Sequence, residues 1–304
     1  MSHSRKSWAF FATGLSLVLL VSTAGQAQGL KFGFKFTGGM GFQLGGDDTA
    51  NLRGLKSLVD HYVESTGLKL KSNAVPFMNR IAFEFDADVV LNLTPQFGVS
   101  LGTGYIRAGT LFGSGKVVVL HGSEEESSLN SVAASAMPIK LGVVYTFGSM
   151  FAAEGKQSSY VFGGIGLYSA KHFESEDYSY QATRTKFSST SKATGIGFYG
   201  GLGSENWINP NFAFVLELYG RYAKIGGFEG DWEQNAGGAP TSGKGKLYYY
   251  EWQDDDNNWY PATTLSAQPP SAGASVRNVR EARIDFSGLG IRFGVRISLG
   301  TRTS

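Results

Sequence analysis

Apolar and polar residues alternate along several segments of this chain, each about ten residues long. The first of them reads LKFGFKFT over residues 30–37. A period of two places all the apolar side chains of such a segment on one face of a β-strand. The pattern therefore predicts an all-β protein. A soluble sandwich and a membrane-spanning barrel would both produce this alternation, so periodicity does not choose between them.

We interpret the alternation as eight strands that occur in pairs. Short turns such as residues 94–96 and 208–211 join the members of a pair, and each of these two turns contains a proline that blocks strand continuation. Polar connections of roughly 37, 28, 20 and 58 residues follow the first, third, fifth and seventh strands, which fits long extracellular loops opposite short periplasmic turns. The predicted strands cover approximately residues 30–42, 80–94, 97–105, 135–147, 160–171, 193–204 and 212–222, and the eighth ends at Leu299.

The eighth segment contains a change of phase. Ile291 and Phe293 are apolar at odd positions, whereas Ile284 and Phe286 are apolar at even ones. A β-bulge near residues 287–288 would turn all four side chains to the same face, and glycine is well tolerated in a bulge. The alternative is a strand that simply begins at Gly288.

The face opposite the apolar stripe is charged. A sandwich core would have to bury these groups, and even one unpaired buried charge costs several kcal/mol or more. The interior of an eight-stranded barrel has room for side chains that pair with one another. The charges therefore favour a transmembrane antiparallel up-and-down β-barrel with an ionic network in its lumen, formed by Lys31, Lys35, Arg80, Glu84, Asp86, Asp88, Lys140, Glu217, Arg221, Arg292 and Arg296.

The amino terminus carries an export signal. Arg5 and Lys6 precede an apolar run over residues 8–21, and the small-residue sequence GQA ends at Ala27. This arrangement predicts a signal peptide over residues 1–27 and a single barrel domain over residues 28–304. The apolar run is shorter than the ~20 residues of a spanning helix. The chain has 304 residues and no cysteine, so disulfides do not stabilise it, and its net charge of +2 does not suggest nucleic acid as a partner.

Two of the long connections contain periodic segments. Between residues 52 and 63, apolar residues recur at helical spacing, and Asp48 or Thr49 could cap a short helix there. In the last connection, the segments LYYYEW and NWYPAT flank Asp254 to Asn258 and predict a projecting hairpin. The same two segments could instead be membrane strands, which would make ten.

Four segments carry a resemblance to a known family: NLTPQFGVSLGTGY, YVFGGIGLY, GIGFYGGLGSENWINPNFAFVLELYGRY and FSGLGIRFGVRISL. They resemble strands of the OmpA-type outer-membrane β-barrel superfamily, whose members include opacity-like and porin-family proteins. The resemblance implies a barrel in the outer membrane of a Gram-negative bacterium that the barrel insertion machinery assembles. The family's carboxy-terminal strand usually ends in Phe, whereas this chain continues past Leu299 to Ser304.

Specific chemistry has little support in the sequence. Residues 254–258 resemble the start of a calcium loop, but Trp259 and Leu265 replace the glycine and glutamate that such a loop requires. His121, Gly122 and Ser123 superficially resemble the His-x-Ser pair of lipid A deacylase barrels, although they lie at a loop tip. We therefore expect no catalytic residue, metal or cofactor.

The leading hypothesis is a non-enzymatic outer-membrane barrel that acts through its extracellular loops. Expected partners are outer-membrane lipid and lipopolysaccharide, and host or phage surface molecules. A narrow channel resembling the OmpW-type barrels, which pass small apolar solutes, is the second hypothesis. A lipid A-modifying enzyme is the third.

Overall fold

Eight antiparallel strands form a closed ring in the computed structural model of this protein. The structure describes residues 31–73, 81–109, 115–121, 124–148, 157–181 and 183–299. Arg80, the proposed signal peptide and residues 300–304 lie outside these ranges. The ring strands, in spatial order, are β1 (Lys31–Gly46), β3 (Ile81–Asn92), β4 (Phe97–Gly109), β6 (Glu124–Thr146), β7 (Gln157–Tyr180), β8 (Thr183–Asn209), β9 (Phe212–Tyr222) and β15 (Arg283–Leu299).

The first and last strands close the ring. β1 pairs with β3 on one side and with β15 on the other, in a register that runs from Phe32 opposite Leu299 to Gly46 opposite Ile284. Closure satisfies the backbone groups of both edges, which a strand in lipid requires. The predicted eight-stranded barrel is confirmed, and the ten-stranded alternative is wrong, because the two segments that it needed do not join the ring.

The outer wall of the lower barrel is an apolar belt. Along β6 the exposed outward residues of the belt run from Tyr145 up to Met137, and the neighbouring strands carry similar side chains at the same height. This inside-polar, outside-apolar alternation is the architecture of bacterial outer-membrane barrels. Other members of the belt are Phe36, Met40, Phe85, Leu101, Ile139, Leu141, Ile165, Leu167, Ile196, Phe198, Phe214, Leu216, Leu218 and Phe293.

Several strands extend further than the sequence predicted. β7 continues past the belt to Tyr180 and β8 begins at Thr183, where a loop of about twenty residues was expected. The alternation of apolar and polar residues disappears there because both faces become polar, although strand pairing continues. Additional strands flank this extension: β2 (Lys69–Asn73), β5 (Gly115–His121), β10 (Lys224–Gly226), β11 (Glu229–Asn235), β12 (Thr241–Gln253), β13 (Trp259–Ser266) and β14 (Val276–Glu281).

The upper parts of β6, β7 and β8 form one sheet with β5 and β2 on one side and with β11, β12 and β13 on the other. We call this sheet, together with β14 and the helix that packs on it, the extracellular layer. The predicted hairpin is confirmed as β12 and β13, which pair around the turn at residues 254–258.

The predicted helix is also present, as α1 (Asp47–Thr66). It follows β1 directly, so Gly46 occupies the N-cap position and no side chain caps the helix. The predicted caps, Asp48 and Thr49, are therefore wrong. Gly67 ends the helix in the left-handed conformation, with φ of 66°. α1 packs against β13 so closely that a Cβ on Gly54 would collide with the carbonyl oxygen of Pro261.

Above the belt, the barrel interior is apolar. Phe228 from the β10–β11 connection, Leu247 from β12 and Leu265 from β13 are buried against inward side chains of the ring. The inward ring residues of this upper core are Ala82, Ile106, Ala108, Ala134, Ala136, Tyr168, Ala170, Ala193 and Phe286.

The phase change in β15 coincides with a bulge. Gln43 of β1 lies opposite Gly288 and Gly45 lies opposite Asp285, so two residues of β15 face one of β1. The strand begins upstream at Arg283, which excludes a start at Gly288. The predicted bulge is confirmed, but its expected effect is wrong. Ile284 and Phe286 are 1% and 0% exposed and belong to the upper core instead of turning toward lipid.

Candidate functional site: the barrel lumen

Glu217 is the most deeply buried charge of the lumen, with no exposed surface. One of its oxygens accepts hydrogen bonds from Lys35 Nζ and from the Tyr160 hydroxyl, at 2.6 and 2.7 Å. The Arg292 guanidinium lies 2.7 Å from the other oxygen, in an ion pair whose alignment falls short of a hydrogen bond. Strands β1, β7, β9 and β15 meet at this carboxylate, so it links opposite walls of the barrel.

Asp86 and Asp88 of β3 extend the network to a second wall. Lys140 Nζ of β6 lies 2.6 Å from Asp86 and 3.1 Å from Asp88. Arg292 also contacts Asp86, and Lys35 lies 3.4 Å from Asp88. Because each cation contacts two carboxylates, these charges form one connected cluster. A connected cluster satisfies buried charges better than isolated pairs would.

Two further pairs lie at the ends of the cluster. Above it, Arg221 donates to Glu84 at 2.6 Å. Below it, Arg296 donates to Glu205 at 2.6 Å, and its second nitrogen lies 3.3 Å from the amide oxygen of Asn92. Sequence reasoning missed Glu205, because the predicted sixth strand ended one residue before it. Every second residue of β8 up to Gly203 points inward. Continuing this alternation by one more step would have identified Glu205.

Five cations and five anions therefore face the described lumen, and their formal charges cancel. The cations are Lys35, Lys140, Arg221, Arg292 and Arg296, and the anions are Glu84, Asp86, Asp88, Glu205 and Glu217. Lys31 begins β1 opposite Asn92, but its side chain is not described, and Arg80 lies outside the described residues. The structure thus brings nine of the eleven predicted residues together.

Aromatic rings and glycines fill the remaining space. Lys35 and Arg292 lie over the ring of Phe162 at 5.1 and 5.7 Å, and Lys140 lies 5.5 Å from the centre of Tyr199. Inward glycines make room for these groups, since a Cβ on Gly104 would collide with the Asp86 carboxylate. A cavity of about 20 Å³ remains beside Lys140 and Arg292, which is room for about one water molecule.

Three possible metal ligands lie outside the lumen. His61 Nε2 of α1 lies 2.9 Å from Asp256 and 3.6 Å from Asp254, in the turn between β12 and β13. These ligand atoms all lie within 4.8 Å of one another. Asp254 also accepts bonds from the Asn258 backbone and from the Tyr260 hydroxyl, at 2.8 and 3.0 Å, which fix the turn. These contacts account for the acidic run as a turn that meets α1.

His121, from the His-x-Ser sequence, is the last residue of β5, a strand outside the ring. Gly122 and Ser123 lie outside the described residues. His172 faces the upper core beside Phe228, with 6.5 Å between ring centres.

The outer face of the extracellular layer carries a polar groove of about 390 Å³. Two rows of side chains cross β8, β11 and β12 there. Glu233 lies opposite both Ser188 and Ser242, and Asp231 lies opposite both Thr190 and Lys244. We call these six residues the extracellular groove. Like the lumen, it carries both signs of charge, but unlike the lumen it is open to solvent.

Comparisons with known proteins add little to this description. No protein-family model matches the chain, and no curated protein matches it. Among the solved structures that resemble it are two outer-membrane proteins. A major outer membrane protein from Thermus thermophilus has a TM-score of 0.36 and 15% identity, covering 89% of this chain and 99% of that one. OprG from Pseudomonas aeruginosa has a TM-score of 0.38 and 12% identity, covering 89% and 96%. The fold of this chain is established by the pairing of its own strands.

In the part of the chain that the structure describes, no helix has the length and apolar character to cross a membrane. The closed ring and its apolar belt make the protein a membrane-spanning β-barrel of the outer-membrane type.

Proposed function

We propose that this protein is a closed, non-enzymatic barrel of the Gram-negative outer membrane that acts through its extracellular layer. The filled interior is the observation that carries this proposal. The ionic cluster occupies the lower lumen and the upper core occupies the rest, so a solute has no continuous path between the described walls. We also propose that the chain is related to the OmpA-type and opacity-like barrels and is assembled by the barrel insertion machinery.

The channel hypothesis is less well supported. A solute would have to displace Glu217 or Arg292 from partners within 2.7 Å, which would leave a buried charge unpaired. Breaking such a pair costs about 3 to 5 kcal/mol. An apolar solute would offer no replacement for these contacts. The lipid A-modifying hypothesis is also weak, because His121 belongs to a strand outside the barrel wall.

Planar bilayer recordings test the closed barrel. We expect the folded wild-type protein to show no steady conductance. The matched comparison is Arg292→Ala, which leaves Glu217 and Asp86 without a guanidinium partner and should open a measurable leak. Lys244→Ala removes a cation from the extracellular groove and should leave the membrane sealed. Large, steady conductance in the wild-type protein would favour the channel.

The extracellular groove is the surface that we propose for contact with host or phage molecules. Its serine, threonine and carboxylate groups offer hydrogen bonds to a hydrophilic partner, and loops placed on a rigid scaffold often carry recognition. Thr190→Arg would occupy the groove with a long side chain while leaving the strand pairing in place. We expect this variant to reduce adhesion of whole cells to host matrix, or adsorption of phage.

Lys56→Glu on α1 is the matched control, because it changes an exposed charge away from the groove. Unchanged adhesion of the Thr190→Arg variant would move the recognition surface elsewhere, and loss of adhesion in both variants would indicate a general charge effect.

A further inference from the structure

Three outward cations form a row across the barrel wall. Arg107 on β4 lies opposite Ser135 of β6, Ser135 lies opposite Lys171 of β7, and Lys171 lies opposite Lys192 of β8. All three cations are exposed. Because these residues are successive partners on adjacent antiparallel strands, they form one continuous row across the outer wall, inclined to the membrane plane because barrel strands are tilted. We call Arg107, Lys171 and Lys192 the cationic row.

The row lies at the upper edge of the apolar belt. Met137, an exposed residue of the belt, is the outward residue that precedes Ser135 toward the periplasmic end of β6, and Tyr105 occupies the same position below Arg107. Successive outward residues on one strand are about 7 Å apart. Arg107 therefore lies one step above the surface that contacts acyl chains, and Lys171 lies two steps above Leu167 because the polar Ser169 separates them. Both cations are thus placed at the height of lipid headgroups. The long connections identify this end of the barrel as extracellular.

A groove lies between the first two cations. It has a volume of about 230 Å³, with Arg107 and Lys171 on its sides, Ala133 and Ser135 at its floor, and Tyr105 and Phe173 at its ends. The small floor residues allow a ligand to approach the strand, and the serine hydroxyl adds a hydrogen-bonding group. The aromatic residues provide an apolar surface next to the cations. This rim groove combines the features that an anionic headgroup attached to acyl chains requires.

The cations of the rim groove are available for a ligand. Among the described residues, no acidic side chain is in ion-pair contact with Arg107 or Lys171. Further up β7, the outward Asp177 is occupied by Arg184 at 2.6 Å. Lys192 differs, because Glu229 lies opposite it on β11, although that carboxylate is 3.8 Å from Lys246. Arg107 and Lys171 should therefore provide most of the attraction.

We infer that the rim groove binds the phosphate of a phosphorylated glycolipid in the outer leaflet, with Arg107 and Lys171 on either side of it. This inference rests on the outer-membrane location proposed above. Arginine can bind phosphate through two parallel hydrogen bonds, and lysine adds a point charge. The headgroup would lie at the rim groove while its acyl chains extend along the belt. Bound lipid would then surround the wall just below the extracellular layer.

The test measures lipid bound to the folded protein in uncharged detergent, by native mass spectrometry. The probe is a bisphosphorylated, acylated glucosamine disaccharide, compared with the same lipid after removal of its phosphates. Wild-type protein should retain the phosphorylated form selectively. A cation near an anionic membrane surface contributes about 1 kcal/mol, or about fivefold. The Arg107→Gln/Lys171→Gln variant should therefore bind at least about tenfold more weakly.

The matched control is Lys186→Gln/Lys244→Gln, which removes the same charge from positions far above the belt and should bind normally. Ser135→Trp fills the rim groove without changing its charge and should also weaken binding. The charge-conserving variant Arg107→Lys/Lys171→Arg should recover most of it. Slower migration of boiled protein in electrophoresis verifies that each variant is folded before binding is measured.

Several outcomes would overturn the inference. Equal binding of the phosphorylated and phosphate-free lipids would exclude phosphate recognition. Equal binding by the wild-type and Arg107→Gln/Lys171→Gln proteins would exclude the rim groove. Competition by inorganic phosphate at the same concentration as the lipid would indicate a site for free anions. This lipid measurement is independent of conductance and adhesion, so its failure is distinguishable from failure of the proposed function.

Discussion

The lower lumen and the upper core lie within one barrel but have opposite chemistry. In the lower lumen, ten charged side chains and several tyrosines fill the space. In the upper core, alanine, isoleucine, leucine and phenylalanine fill it. Strands such as β4, β6 and β7 pass through both regions without interruption. The difference arises from the solvent outside the wall, because the lower wall faces lipid and the upper wall faces water.

The apolar side chains lie on the outer face of the lower barrel and on the inner face of the upper barrel. This exchange explains the change of phase in the alternation of apolar and polar residues. Along β6, apolar residues point outward up to Met137, and above it Val132, Ala134 and Ala136 point inward. Where the apolar residues of a strand change from odd-numbered to even-numbered positions, or the reverse, the strand passes the edge of the belt. The same shift in β15 led the sequence analysis to expect that Ile284 and Phe286 face lipid. They face the upper core, because the strand has left the membrane at that point.

The first test removes the central charge of the lower lumen. Glu217→Ala leaves Lys35 and Arg292 without their shared partner in a buried site, so we expect a loss of about 3 to 5 kcal/mol in unfolding free energy. Urea unfolding in lipid vesicles measures it, and planar bilayers should show a new leak. Glu233→Ala, at an exposed position, is the control and should change neither. A loss below about 1 kcal/mol would mean that water already screens the cluster.

The second test truncates the upper core. Phe286→Ala should cost about 3 kcal/mol, because it leaves a cavity among packed apolar side chains. In contrast to Glu217→Ala, it should leave the bilayer sealed, since the ionic cluster below remains complete. Conductance and urea unfolding of both variants, measured together, separate the two regions. If Phe286→Ala leaked as much as Glu217→Ala, the seal would depend on the whole interior and not on the ionic cluster.

The third test places one charged side chain in the apolar belt. Leu216→Arg places a charge on the lipid face of β9, where such a change costs about 2 to 4 kcal/mol near the middle of the bilayer and less near its edges. Thr241→Arg makes the same change on an exposed part of the extracellular layer and should have little effect. Folding equilibria in vesicles measure both. Equal stability of the two variants would show that the outward face of β9 does not contact lipid.

Much of the barrel could be predicted because its two faces meet different solvents. The facing of Phe85 and Asp86 on β3, and of Leu216 and Glu217 on β9, follows from strict alternation. Strand ends above the membrane could not be predicted in the same way. Around Ser188 and Thr190 the residues at odd-numbered and at even-numbered positions are both polar. The alternation that marks a strand in lipid is therefore missing there.

The partners within the lumen could not be read from the sequence either. Alternation identified Lys35 and Glu217 as inward residues, but their 2.6 Å contact depends on how strands 182 residues apart meet across the closed ring. Glu205 was missed because an isolated charge at a strand end resembles the start of a turn. The cationic row was missed because Arg107, Lys171 and Lys192 belong to three different strands and come together only through register.

The fourth and smallest effect concerns the contact between α1 and the strands of the extracellular layer. Burial raises the pKa of Asp48 to about 6 and that of Glu174 to about 7, and the two carboxyl groups also repel each other. Both values lie above those of an unfolded chain, so the docked helix binds more protons than the detached helix does.

The attachment of α1 should be strongest below about pH 4 and weaken as the pH rises through 6 to 7. Hydrogen exchange of α1, corrected for intrinsic rates, should be roughly tenfold slower at pH 5 than at pH 8, or about 1.4 kcal/mol. Glu174→Gln keeps a hydrogen-bonding group near Asn51 and should remove much of this dependence, whereas Glu64→Gln on the exposed face of the helix should not. A dependence of the opposite sign would mean that both carboxylates remain charged in the docked helix.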